Sequence, residues 1–98
     1  MNDKYKKYLP LGSVVLVKNA KKRIMITGFA IKAAEKPNKI WDYIGCLYPE
    51  GVQSPDKNLL FDHKDIGTIY AVGYCDDEHK RYINFLDKTL NSNKEKES

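Results

Sequence analysis

The chain has 98 residues, of which 42% are hydrophobic and 31% charged, and a formal net charge of +4. A chain of that length makes one domain and buries roughly 60–70% of its unfolded surface, enough for a core without staples. No apolar run approaches the ~20 residues of a membrane span, and no apolar segment follows the charged start Met1-Asn-Asp-Lys, so neither membrane insertion nor a secretory leader is predicted, and a cytoplasmic location is.

Residues 1–8 are polar and basic and are predicted to be a flexible basic arm from which Tyr5 and Tyr8 can dock. Pro10 and Gly12 frame a turn. Residues 13–18 (Ser-Val-Val-Leu-Val-Lys) form a β-branched run and predict a first strand, and Asn19-Ala-Lys-Lys22 suits a hairpin connection. Residues 23–32 predict a second strand, with Ile24, Ile26 and Ala30 on one face and Met25, Thr27, Phe29 and Ile31 on the other. Gly28 in its middle marks a bulge or bend. Residues 33–39, with Pro37-Asn38, read as a loop.

Residues 40–48 hold the only Trp and are almost all β-formers, so they predict a strand covered on both faces. Alternation puts Ile40, Ile44, Cys46 and Tyr48 on one face and Trp41, Tyr43, Gly45 and Leu47 on the other. Gly45 leaves room for another backbone to approach. Pro49-Glu50-Gly51 ends the strand and opens an exposed loop over 49–58. Leu59-Leu-Phe61 is a short strand, and 62–66 a single helical turn capped by Asp62. A fifth strand is predicted over 68–75. Asp76, Asp77 and Glu78 then crowd a helix N-terminus, where carboxylates suit the macrodipole. Tyr82, Ile83, Leu86 and Leu90 recur at helical spacing, predicting one amphipathic helix that ends near Asn91. Residues 91–98 are charged and lack apolar side chains, which predicts a disordered tail. The whole is an α+β domain over 9–90: five short, mostly antiparallel strands, as a curved sheet or a partly open barrel, followed by one C-terminal amphipathic helix.

Charge is laid out unevenly. Residues 18–39 set Lys18, Lys21, Lys22, Arg23, Lys32, Lys36 and Lys39 against Glu35 alone, whereas 40–78 are predominantly acidic. A nucleic-acid binder needs one continuous basic face, so the bipolar layout disfavours nucleic acid as a partner. The basic patch of Lys18, Lys21, Lys22 and Arg23 nevertheless keeps open a small β-barrel nucleic-acid-binding or regulatory module; its plainer role is to stop edge strands from aggregating.

No residues compose a catalytic motif. Asp62-His63-x-Asp65 has metal-ligand types without a partner cluster, and Cys46 with His63 or His79 lacks the turn that presents a nucleophile. No metal, cofactor or enzymatic activity is predicted. Cys46 and Cys75 form no CxxC pair and lie in apolar runs, so two buried free thiols are expected. What remains is recognition by contact. Tyr43 and Tyr48 belong either to the core or to an aromatic surface; with Pro49, Glu50 and Gly51 they are the protein-binding candidates.

Three stretches carry a resemblance: Tyr8-Leu-Pro-Leu-Gly-Ser-Val-Val-Leu-Val, Gly45-Cys-Leu-Tyr-Pro-Glu-Gly51, and Leu60-Phe-Asp-His-Lys-Asp-Ile66 followed by Gly73-Tyr74. In order and spacing they resemble a small Gram-positive family, the domain-of-unknown-function family 4176, across 8–90. That family is associated with type VII secretion and LXG toxin loci. The resemblance implies a cytosolic adaptor, a chaperone or targeting factor, for the helical N-terminal domain of a secreted LXG-type toxin and other small helical secretion factors. It implies no catalytic residues and leaves the oligomeric state open.

Overall fold

A computed structural model describes residues 8–97, with side chains as far as Leu90. Strands β1 (Val14–Val17), β2 (Ile24–Ala33), β3 (Lys36–Leu47), β4 (Leu59–Phe61) and β5 (Ile66–Ala71) precede one helix, α1 (Asp77–Glu97). Short 3-10 turns occupy Pro55–Lys57 and His63–Asp65. The strands form one antiparallel sheet in the order β4-β3-β2-β1-β5, which does not close into a barrel. The first four strands meander, as short connections dictate. The fifth does not continue beside β4; it crosses back to pair with β1, so that Val17 meets Ile66 and Val15 meets Ile69.

Two irregularities in the β2–β3 hairpin change what alternation predicts. Ile26 pairs with Gly45 and Gly28 with Ile44, so Thr27 is bulged out of the ladder beside Gly28. An extra residue shifts the phase of every later side chain. Phe29 therefore packs with Ile24 and Ile26 against the core and not with Met25 on the opposite face. The second irregularity replaces the loop expected over 33–39. Ala33 pairs with Lys36 across a turn at Ala34 and Glu35, and pairing then jumps to Lys32 opposite Ile40. Pro37, Asn38 and Lys39 fall in the gap, where a proline costs no ladder hydrogen bond.

The core lies between the sheet and α1. Tyr43 on β3 is fully buried, its ring stacked on Phe61 at 5.2 Å and 6.1 Å from both Tyr8 and Phe29. Burying a large side chain of this kind stabilises by about 1.5–3 kcal/mol. Val15, Ile24, Ile26 and Ile66 complete the sheet side, and α1 contributes Leu86 with Ile83 and Leu90 beside it. At Gly45 the neighbouring strand does come close, since a Cβ there would collide with the Ile24 side chain and the Met25 carbonyl. Tyr8, counted with the arm by sequence, is only 4% exposed and belongs to the core; positions 1–7 of that expected arm lie outside the described residues.

Helix α1 starts where the acids predict. The His79 N–H donates to Asp76 Oδ1 at 2.9 Å, making Asp76 the cap, with Asp77 and Glu78 in the first turn. It continues to Glu97, past the end expected near Asn91. The stretch beyond Leu90 contains no Gly or Pro, and Lys and Glu are good helix formers, so the helix has no breaker at Asn91. Cys46 is buried as expected, but Cys75 is exposed, because β5 ends at Ala71 and the chain runs along the outside before the cap.

Candidate functional site

The turn after β3 and the connection between β1 and β2 converge on one surface. Tyr48 N–H donates to the Arg23 carbonyl at 3.0 Å, extending the β2–β3 ladder by one residue. The chain then reverses through the cis Tyr48–Pro49 bond, and Gly51 N–H closes on the Leu47 carbonyl at 2.8 Å. Gly51 has φ +81°, a left-handed conformation that favours glycine. The reversal leaves Tyr48 exposed and places Glu50 against Lys22, Oε2 to Nζ 2.8 Å. The Lys22 ammonium, by direct hydrogen bond, holds the Glu50 carboxyl below its ordinary range. Both partners are exposed, so this pair contributes little to stability.

Between these parts stands Arg23. Its guanidinium carbon lies 5.1 Å from the centroid of the Tyr48 ring and 5.5 Å from that of Tyr70. Both distances fall within the range of cation–π attraction. The three residues come from separate strands: Arg23 leads into β2, Tyr48 follows β3, and Tyr70 is on β5 with 54% of its surface exposed. The aromatic turn and the basic hairpin, two separate candidates by sequence, thus form a single site around Arg23, with exposed Lys18 and Lys21 on the same connection. Tyr70 was not singled out. Alternation marks it only as a strand residue; the return of β5 to β1 is what brings it to Arg23.

Tyr43 is not part of that surface. Its hydroxyl accepts the backbone N–H groups of Tyr8 at 3.0 Å and Leu9 at 2.9 Å and lies 2.7 Å from His63 Nδ1. A phenol has one hydrogen to give, and both lone pairs are met by N–H donors, which leaves that hydrogen for His63 Nδ1. Burial pushes the Tyr43 phenol up to about 12, against the pull of the Leu9 and Tyr8 N–H groups. Around it Asp62 Oδ1 accepts the Asp42 N–H, Asp62 Oδ2 takes Lys39 Nζ at 2.8 Å, and Asp42 Oδ2 accepts the His63 N–H. Burial works against the Asp62 carboxylate, yet Lys39 and the Asp42 N–H outweigh it and keep the group below its ordinary range. The Asp62–Asp65 turn forms as predicted, Asp65 accepting the Asp62 N–H at 3.0 Å. These contacts tie β3, β4 and the segment at Tyr8 together.

Among the described residues no group of three or more His, Cys, Asp or Glu side chains is placed to hold a metal ion. Cys46 and His63 do not form a nucleophile and base: Cys46 is 1% exposed, and alternation puts it on the face opposite Tyr43, whose hydroxyl holds His63. On the helix side, Tyr82 and Phe85 are exposed and stack at 6.4 Å, widening the apolar stripe of α1 beyond what the sheet covers. No helix among the described residues is long and apolar enough to cross a membrane.

Fold and surface together define an open-sheet α+β domain covered by one helix, with an arginine within cation–π range of two exposed tyrosines. Residues 8–82 match the family described as Domain of unknown function (DUF4176), and the chain belongs to that family. No curated protein and no solved structure matches the chain.

Proposed function

We propose that this protein is a non-enzymatic protein-binding adaptor that works through the surface centred on Arg23, Tyr48 and Tyr70, flanked by Pro49, Glu50 and Gly51. The observation that carries this is the pair of exposed tyrosine rings held against one arginine. Tyr and Arg are the side chains in which interface energy concentrates, and rings fixed before binding lose little entropy on contact. The family resemblance supplies the proposed context: a cytoplasmic chaperone or targeting factor for the helical N-terminal domain of an LXG-type toxin exported by type VII secretion. Other small helical secretion factors are further partners on this reading.

The test is co-expression with the helical domain of a toxin encoded beside this protein, followed by purification and titration. A complex at micromolar concentration is expected, with Tyr48→Ala and Tyr70→Ala each weakening it by about 2 kcal/mol or more, on the order of thirtyfold. Absence of a complex with the wild-type protein overturns the adaptor reading. Undiminished binding by both variants places the surface elsewhere, and the Tyr82–Phe85 flank of α1 is then the next to be tested. The alternative, a nucleic-acid-binding module using Lys18, Lys21, Lys22 and Arg23, predicts an affinity for DNA or RNA that falls steeply with salt.

A further inference from the structure

Arg23 is exposed and lies against the rings of Tyr48 and Tyr70, yet among the described residues it pairs with no carboxylate. That combination is unusual on a surface where Lys22, its neighbour in sequence, has taken Glu50 and Lys39 has taken Asp62. The guanidinium, within cation–π range of both rings, carries a planar N–H fork that matches the two oxygens of a carboxylate. Contact with two rings restrains the side chain, so part of the ordering cost of a salt bridge is met before a partner arrives.

We infer that Arg23, with Tyr48 and Tyr70, is a receptor for an Asp or Glu side chain of the protein partner, which anchors an acidic segment against the basic β1–β2 connection. The inference rests on the adaptor reading for its context, and not on which protein the partner is. Charge complementarity selects the occupant. Lys18, Lys21 and Arg23 offer positive charge on one short connection, which suits an acidic protein segment. A nucleic-acid strand would bring a row of phosphates across the Glu50 carboxylate at the same turn, and the acids that dominate 40–78 interrupt any continuous basic track.

The probe is a short oligoglutamate peptide, titrated into the isotope-labelled full chain, with oligoglutamine of equal length and a duplex DNA in parallel titrations. The readouts are the Arg23 Nε–Hε resonance and the ring resonances of Tyr48 and Tyr70. Oligoglutamate is expected to move all three together and oligoglutamine none. Arg23→Lys keeps the charge but loses the planar fork, so it should bind oligoglutamate roughly tenfold more weakly, about one charge-assisted hydrogen bond, while its amide spectrum elsewhere stays that of the folded protein. An unmoved Arg23 resonance, equal affinity of the Arg23→Lys variant, or tighter binding of DNA than of oligoglutamate at the same salt overturns the inference. The two proposals separate cleanly. A toxin complex that Arg23→Lys leaves intact removes the carboxylate receptor and keeps the adaptor; a receptor that responds to oligoglutamate in a protein that captures no toxin domain does the reverse.

Discussion

Replacing Tyr43 by Phe removes one oxygen and leaves the ring, so it isolates what the hydroxyl does. That oxygen is the acceptor for the Tyr8 and Leu9 N–H groups and the donor to His63. Each buried donor left without an acceptor costs about 1–3 kcal/mol. Two such losses, eased by some local relaxation, give roughly 2–4 kcal/mol, a large share of the ~5–15 kcal/mol that holds a domain of this size together. The melting temperature should fall by on the order of 10–25 °C. Urea unfolding followed by the fluorescence of Trp41 measures the loss, and hydrogen exchange should show the Tyr8 and Leu9 amides as the first to lose protection. The same oxygen gives a pH signature. The folded-state pKa of Tyr43 is raised to about 12 from an ordinary 10.0 by burial, so the folded protein keeps this proton where the unfolded chain has released it. Its contribution is complete below about pH 10 and is lost as pH rises to about 12, roughly 3 kcal/mol in all. Tyr43→Phe should flatten that alkaline decline. A variant within about 0.5 kcal/mol of wild type, or one with an unchanged alkaline profile, refutes this account of how the Tyr8 segment is held.

At the acid end Asp62 governs the sign: its folded pKa lies below the ordinary value of 3.8, so its stabilisation is present above that value and disappears as pH falls below it. Asp62→Asn should lower stability at neutral pH and reduce the acid dependence, as read from urea midpoints at several pH values. Asp76→Ala removes the cap that accepts the His79 N–H and should cost about 0.5–2 kcal/mol, with a matching loss of helical circular dichroism at intermediate urea. A thiol reagent in excess should label Cys75 quickly and Cys46 only on unfolding, because the first is exposed and the second buried; mass spectrometry of the labelled peptides distinguishes them.

Much of the architecture was legible because it is local. The β-branched run at β1, the Pro49-Glu50-Gly51 stop, the Asp62 turn and the Asp76 cap are all written within a few residues of where they act. Phe29 was assigned to the wrong face because a single bulged residue, Thr27, resets the alternation, and Gly28 signalled a bulge without its phase consequence. The hairpin tip was hidden by Pro37 and Asn38, turn-forming residues that here lie in a strand irregularity and not in the turn itself. For the site, Tyr48 and Arg23 were both visible but as unrelated features. Their union with Tyr70, and the withdrawal of Tyr43 into the core, depend on which strands lie side by side, and pairing between distant segments leaves no periodic mark in either one.

The return of β5 to β1 has a consequence for how the protein lives in a cell. Joining Val17 to Ile66 closes a loop across half the chain, which is a slower and costlier event than zipping the β2–β3 hairpin. The tyrosine on the far side of that seam, Tyr70, completes the grip on Arg23, so the proposed binding surface exists only once the last strand has docked. A partner that clasps this surface therefore favours the finished chain over every incomplete one, by about 2.7 kcal/mol when present at a hundredfold excess over its dissociation constant. Proteases remove chains from the unfinished population, and a shift of that size changes abundance several-fold. If the proposed adaptor role holds, the steady-state amount of this protein should accordingly rise and fall with the supply of its partner.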